Sequence, residues 1–140
     1  MLSSKAALPG AGRIVICDYN SLLQTVSGLL RMSGYAVFQA YNGHAAEELC
    51  AELHGIALLV LNTEGTGMDT PALVRSIRKT SRGLAVLHIG KSPIPKMPSN
   101  VRHLAESFTA DELLETVRAL VPGHPDTSAV AAGAGEYPRC

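Results

Sequence analysis

Residues 58–70 read LLVLNTEGTGMDT, an apolar run that stops at the polar residue Asn62 and opens into a glycine-bearing loop. A short, continuous apolar run bounded by turn residues is typical of a strand that is covered on both faces of a sheet. A helix is predicted to follow, because Asp69 or Thr70 can cap it and Pro71 suits its first turn. The segment therefore predicts a strand, a loop and a helix in that order.

The same alternation of strand and helix signals extends on both sides of this segment. The predicted strands are residues 14–17, 35–40, 56–61, 84–89 and 101–104. Asn42 is predicted to cap the second helix, and a capping box of Thr109 and Glu112 starts the last one. Strands alternating with helices imply a parallel sheet between two layers of helices. Five such strands fit the flavodoxin-like α/β fold, a three-layer sandwich with strand order 2-1-3-4-5.

Length and composition predict one domain. The chain has 140 residues, of which 46% are hydrophobic, enough for one compact core. We expect the folded domain at residues 13–121 and flexible tails at 1–12 and 122–140, where bulky apolar residues are scarce. No segment is typical of a signal peptide or a membrane span, so a cytoplasmic location is predicted. Twelve basic and twelve acidic residues balance, which argues against binding nucleic acid or membranes through bulk charge.

A parallel sheet of this order places binding sites at the carboxyl ends of its strands, near the first and third strands. The residues at these ends are Asp18, Tyr19, Asn62 and Gly90. They provide no nucleophile with a base, no acid–base dyad and no phosphate-binding glycine pattern, so no enzyme activity is predicted. The histidines and cysteines also lack the spacing of metal ligands, and His88 is interpreted as a buried histidine with a hydrogen-bond partner.

The order of these motifs resembles that of the CheY-like receiver domains of two-component response regulators. The resemblance covers about residues 13–121. Residues 13–20, RIVICDYN, are similar to the receiver opening, in which a strand ends in two acidic residues that hold magnesium. Residues 67–70, GMDT, are similar to the loop that follows the phosphorylated aspartate. The resemblance implies a signalling module of a two-component or phosphorelay-related pathway, with a sensor kinase, a regulator or a scaffold as its protein partner.

Residues at the functional positions of the family differ in this chain. Asn62 stands where the resemblance places the phosphoacceptor aspartate, and an amide oxygen cannot form an acyl phosphate. Tyr19 replaces the acidic residue that binds the metal directly, and Gly90 replaces the hydroxyl residue that contacts the phosphoryl group. Glu106 stands in place of a lysine. His103 lies at the position of the aromatic residue that rotates on phosphorylation, and we expect that coupling to be lost.

These differences predict a phosphorylation pocket without metal or phosphoryl chemistry. Magnesium prefers several hard, mostly anionic oxygen ligands, and Asp18 beside Asn62 is a poor cage even if Glu64 contributes. A phosphoryl group would also meet Glu106 instead of a cation. Two unit charges about 4 Å apart interact by roughly 4 kcal/mol at an effective dielectric constant near 20. We therefore expect no cofactor, with magnesium binding disfavoured.

The segment between Gly90 and Glu106 is a second departure from the family. It is shorter than in receivers and contains Pro93, Pro95 and Pro98. Prolines at this spacing remove hydrogen-bond donors and favour extended or turn-rich structure. We therefore expect the fourth helix of the family to be shortened or missing.

The changed segment also predicts an interaction surface. Lys91, Ile94, Lys96 and Met97 would give it a basic and apolar character. A second candidate surface is the helix that begins near Asn20. The sequence leaves the oligomeric state open.

Structural alternatives stand beside each interpretation of the pocket. Asp18 could accept hydrogen bonds from loop amides, and Asn62 could bond the backbone at the end of its strand. Tyr19 could fill the empty metal site, and Glu106 could pair with Lys91.

Two functional classes remain besides the disfavoured enzyme. The first is a phosphorylation-independent module that acts through protein–protein interaction. The second is an atypical receiver that still responds to a metal or a small ligand in the old pocket.

Overall fold

The computed structural model describes residues 12–17, 21–62 and 69–121. The elements in chain order are β1 (Arg13–Cys17), α1 (Ser21–Met32), β2 (Ala36–Ala40), α2 (Gly43–Glu52), β3 (Leu58–Asn62), α3 (Thr70–Ile77), β4 (Ala85–Gly90), β5 (Val101–Ala105) and α4 (Ala110–Leu120). The predicted tails lie outside the described residues, apart from Gly12. Asp18, Tyr19 and Glu64 lie outside them as well.

The five strands form one parallel sheet in the order β2-β1-β3-β4-β5. This confirms the predicted flavodoxin-like, CheY-like α/β fold. The predicted strand ends differ from the observed ones by up to two residues, as at β3, which begins at Leu58 instead of residue 56. Asp69 is the cap of α3, because its Oδ1 accepts a hydrogen bond from the Ala72 amide at 3.4 Å.

Successive strand residues point to opposite faces of the sheet, so the sheet separates two cores. The first core lies under α1 and α4, and it includes Ile16, Val60 and Leu87 from the strands with Leu23, Leu30, Leu113 and Val117 from the helices. The second core lies under α2 and α3, and it includes Val15, Leu61 and Val86 with Ala46, Cys50, Leu73 and Ile77. The two cores fix which side of each strand a polar side chain occupies.

Cys17 and Cys50 are both buried, and neither forms a disulfide; burial is common for cysteines that pack as small apolar residues. Burial first, and Glu47 second, raise the pKa of the Cys50 thiol to about 11. The thiol therefore stays protonated and unreactive near neutral pH. Leu53 ends α2 as its C-cap, and Gly43, Ala46 and Cys50 are the buried residues of that helix.

Residues 91–100, here called the connector, join β4 to β5 without a helix. The described part of the chain has four helices, which confirms the prediction that the fourth receiver helix is shortened or missing. Lys96 (φ 63°) and Asn100 (φ 60°) adopt left-handed backbone conformations. The connector is therefore turn-rich and not a continuous polyproline helix. Met97 packs against the second core and anchors the connector to the sheet.

Arg78, just beyond α3, holds the end of the connector in place. Its Nη1 donates to the Ser99 carbonyl at 2.6 Å and its Nη2 to the Asn100 carbonyl at 3.0 Å. Nε and Nη2 also donate to the Leu84 carbonyl at 2.9 and 2.7 Å. The planar guanidinium can serve these carbonyls together because its donors point in fixed directions. One side chain thus ties the last two carbonyls of the connector to the Leu84 carbonyl that precedes β4.

Candidate functional site

The parallel order brings the carboxyl ends of the strands to one edge of the sheet. In the strand register, Asn62 lies opposite Ile89, and Gly90 lies opposite Ala105. Glu106 directly follows Ala105. The predicted site residues Asn62, Gly90 and Glu106 are therefore brought to the same edge. The parts assigned to Asp18, Tyr19 and Glu64 stay predictions, because these residues are outside the described ranges.

Asn62 is buried at the end of β3, with 3% of its surface exposed. Its Nδ2 donates a hydrogen bond to the Ile89 carbonyl at 2.9 Å and so joins the ends of β3 and β4. An ionised aspartate at this position would have no proton to donate, and its oxygen would face the carbonyl oxygen. Leaving such a buried group unsatisfied is costly. The hydrogen bond to the Ile89 carbonyl is the kind of backbone contact through which Asn62 would act as a structural residue.

Gly90 and Glu106 give the rest of this edge its character. Gly90 is buried and has no hydroxyl, while Glu106 is half-buried in the turn after β5. No ion pair joins Glu106 to Lys91, although both residues are described, so the alternative that paired them is wrong for this structure. Lys91 is exposed at the start of the connector, where ordering a long side chain offsets the small gain of a surface ion pair.

His103, the predicted switch-position residue, contacts His88 on the neighbouring strand. The two residues are register partners in β4 and β5, and their Nδ1 atoms lie 3.0 Å apart. His88 is buried, with 1% exposed, whereas His103 is half-buried. Burial first, and repulsion from His103 second, lower the pKa of His88 to about 4. The His88 ring is therefore neutral near neutral pH.

A cavity of about 300 Å³ lies beside His103, between β5 and the start of α4. Its lining residues are His103, Leu104, Ala105, Ser107, Phe108 and Glu112. The Glu112 carboxylate is already used, because its Oε1 accepts a hydrogen bond from the Thr109 amide at 2.8 Å. Within residues 12–17, 21–62 and 69–121, no three His, Cys, Asp or Glu side chains are grouped so that they could hold a metal ion.

The connector residues predicted as an interaction surface divide into two pairs. Lys91 and Lys96 are exposed, while Ile94 and Met97 are half-buried, and Met97 belongs partly to the second core. The surface is therefore more basic and less apolar than the sequence suggested. No helix of the described residues has the length and apolar character needed to cross a membrane.

Sequence reasoning missed Arg78 and the contact between His88 and His103. The His88–His103 contact could have been anticipated from the sequence, because the predicted bounds of the fourth and fifth strands place the two histidines near each other in a parallel pair. Arg78 had none, because its carbonyl partners depend on the path of the connector.

No protein-family model matches this sequence, and no curated protein matches it. Solved structures do. The receiver domain of the hybrid histidine kinase CckA is 26% identical with a TM-score of 0.69, and the match covers 79% of this chain and 99% of that one. The chemotaxis protein CheY4 of Vibrio cholerae is 21% identical with a TM-score of 0.68, covering 77% and 96%.

A third similar structure is the receiver domain of the sensor histidine kinase PA1611 from Pseudomonas aeruginosa. It is 19% identical with a TM-score of 0.68, and the match covers 79% of this chain and 98% of that domain. That domain was solved with a magnesium ion coordinated in its active-site cleft. The chain thus has the fold of receiver domains over nearly their whole length.

Proposed function

We propose that this protein is a phosphorylation-independent, receiver-like signalling module that acts through protein–protein interaction in a two-component or phosphorelay-related pathway. The observation that carries the proposal is Asn62, a buried amide at the end of β3 whose Nδ2 donates to the Ile89 carbonyl. Phosphotransfer to a receiver requires a carboxylate oxygen as the nucleophile, and this side chain has none.

Two further residues support the loss of phosphoryl chemistry. Gly90 contributes no hydroxyl at the end of β4, and Glu106 contributes a negative charge beyond β5. A phosphoryl group at this edge would therefore lack a hydrogen-bond donor from Gly90 and meet a carboxylate from Glu106. Because these defects are independent, replacing Asn62 alone would not recreate an efficient site. The proposed module uses neither magnesium nor a cofactor, is not an enzyme, and works in the cytoplasm.

The connector supports interaction with a protein as the remaining mode of action. Lys91 and Lys96 are exposed beside β5, where the fourth receiver helix is missing. A partner that presents carboxylates would gain complementary charge there. The partner classes that fit the proposal are a sensor kinase, a regulator or a scaffold.

The phosphorylation half of the proposal is tested with acetyl phosphate and magnesium, followed by intact-mass measurement. We expect no phosphoryl adduct on the natural chain and only slow or no labelling of Asn62→Asp. A receiver with an aspartate phosphoacceptor serves as the positive control. An adduct on the natural chain that hydroxylamine removes would indicate an acyl phosphate and overturn the proposal in favour of an atypical receiver.

The interaction half is tested with a photo-crosslinking residue placed at Lys91 and, as a matched control, at the exposed residue Glu52 on α2. We expect one discrete protein adduct from position 91, equally strong with and without acetyl phosphate, and none from position 52. An adduct that appears only with acetyl phosphate would contradict phosphorylation independence. Equal adducts from both positions would contradict the connector as the contact surface.

A further inference from the structure

The contact between His88 and His103 has the geometry of a hydrogen bond between two rings. Their Nδ1 atoms lie 3.0 Å apart and their ring centroids 5.2 Å apart, with 30° between the planes. A centroid separation this much longer than the nitrogen separation means that the rings meet nearly head-on. A metal ion held by both nitrogens would require the lone pairs to converge on a point beside that line. The arrangement instead fits a proton between the nitrogens.

The number of protons on the pair decides whether this contact can persist. When both rings are neutral, one Nδ1 carries a hydrogen and the other accepts it. One added proton leaves a donor facing an acceptor, in a stronger charge-assisted bond. With two added protons, both Nδ1 atoms carry hydrogens, and two like charges lie in contact beside a buried strand. The pKa of His88, lowered to about 4 by burial and then by His103, agrees with this cost.

The charged groups that can be placed near the pair are those of the described residues on the elements around it. β3 supplies only apolar side chains and Asn62. α3 turns Leu73, Val74 and Ile77 toward the sheet, and its exposed Arg75 points away from the core. The other charged residues described on β5 and the turn after it, α4, the connector and the ends of α3 are Asp69, Arg78, Lys91, Lys96, Arg102, Glu106, Asp111, Glu112, Glu115 and Arg118.

None of these charged groups forms an ion pair with His103. The Arg78 donors are bound to carbonyls, and Lys91 and Lys96 would oppose a second positive charge. Glu112 accepts from the Thr109 amide, and His103 has no carboxylate of the described residues within ion-pair distance.

The position of the pair links its protonation to the connector. β5 is an edge strand of the sheet and pairs only with β4 among the described strands. The connector leads directly into β5. Apart from the His88–His103 contact, it is held by the packing of Met97 and by the hydrogen bonds of Arg78. Separation of the two rings would therefore act on β5 and the connector before it acts on β1 or β3.

We propose that the His88–His103 contact is a pH-sensitive hydrogen bond between β4 and β5. The bond persists when the pair holds one added proton. A second added proton separates the rings and releases β5 together with the connector. Acid would then change the basic surface around Lys91 and Lys96. The inference is independent of the proposed function, because it is tested on the chain alone without a partner or phosphate donor.

The test is NMR of the full chain between pH 6.5 and about 4, with the amide hydrogen exchange of β5 compared with that of β1. The opened state binds one more proton than the closed state in this range. The protection of the β5 amides should therefore fall about tenfold per pH unit, and at every pH it should stay below that of the β1 amides, which exchange only when the whole sheet opens. Equal protection of the β1 and β5 amides at every pH would mean that both exchange through global unfolding and would overturn the proposal.

Variants separate the pair from ordinary acid sensitivity. When asparagine replaces histidine, its side-chain amide lies close to the former position of Nδ1. The variant therefore keeps a hydrogen-bonding group there that does not titrate. His88→Asn should abolish the pH dependence of β5 protection, and His44→Asn, at an exposed histidine, should leave it unchanged. His103→Asn should raise the titration midpoint of His88, because the neighbouring charge is removed.

The titration of His88 in the His103→Asn variant decides the matter even if His88→Asn does not fold. An unchanged His88 midpoint would show that the rings do not interact and would overturn the proposal. Independent titration of both rings near the usual histidine value in the natural chain would overturn it as well.

Discussion

The two faces of the sheet are stabilised in different ways. On the first-core face, α1 and α4 cover the sheet with apolar side chains, and Leu87 is fully buried between them. On the opposite face, α2 and α3 supply the apolar cover, and Met97 of the connector packs against the same core. On this face, the packing of Met97, the hydrogen bonds of Arg78 and the His88–His103 contact hold β4, β5 and the connector together.

The difference shows how the fold tolerates the loss of a helix. Apolar burial is non-directional and largely insensitive to pH, whereas hydrogen bonds depend on geometry and protonation. The connector face should therefore respond to acid and to single polar substitutions in ways that the α1–α4 face does not. The altered pocket residues lie at the edge of the sheet next to this face.

The largest expected effect separates the two faces by packing. Leu87→Ala in the first core should lower the free energy of unfolding by about 2–5 kcal/mol, because it leaves a cavity under α1 and α4. Met97→Ala on the connector should cost about 1 kcal/mol, since Met97 is only half-buried and the connector can relax. Urea unfolding measures both. Equal costs would contradict the difference between the faces.

The next effect concerns pH. The pKa of folded His88 is about 4, below the usual value of 6.5, so the unfolded chain binds more protons in that interval. Stability should be complete above pH 6.5 and fall progressively toward pH 4, by at most about 3 kcal/mol. Thermal unfolding at several pH values tests this, with His88→Asn as the variant that should lose the dependence. A stability that rises on acidification would contradict the assignment.

A smaller effect is expected at Arg78. Arg78→Lys keeps the charge but cannot donate to the Leu84, Ser99 and Asn100 carbonyls together, so we expect a loss of about 2 kcal/mol. Faster amide exchange should be confined to the connector and β5. Arg75→Lys, at an exposed position of α3, is the matched control and should change neither. Uniform acceleration across the sheet would mean that Arg78 supports the whole domain.

The smallest effect is expected at the pocket edge. Asn62→Asp replaces the amide that donates to the Ile89 carbonyl and should cost about 1 kcal/mol near neutral pH. The deficit should shrink in acid, because a protonated carboxyl regains a donor. Chemical unfolding near neutral pH and in mild acid compares the variant with the natural chain. A variant more stable than the natural chain near neutral pH would show that the amide has no structural role.

The sequence predicts the sheet because its signals are local. The apolar runs, the Asn42 cap and the Thr109–Glu112 capping box each depend on a few neighbouring residues, and the structure contains all of them. The prolines of the connector likewise predict the missing helix. Contacts such as His88–His103 and Arg78 with Ser99 depend on strand register and chain path. The predicted strand bounds place the two histidines near each other without specifying their contact, whereas the contacts of Arg78 became visible only in three dimensions.

The central claim, that the old phosphorylation pocket no longer responds to metal or phosphoryl groups, is tested most directly by an amide NMR titration. The full chain is titrated with magnesium and then with beryllofluoride, a mimic of the acyl phosphate. The account predicts that the resonances of Asn62, Gly90 and Glu106 stay unchanged up to millimolar magnesium and after beryllofluoride. Saturable shifts at Asn62 and Gly90 that spread to His103 would contradict it and identify a receiver that still senses a ligand.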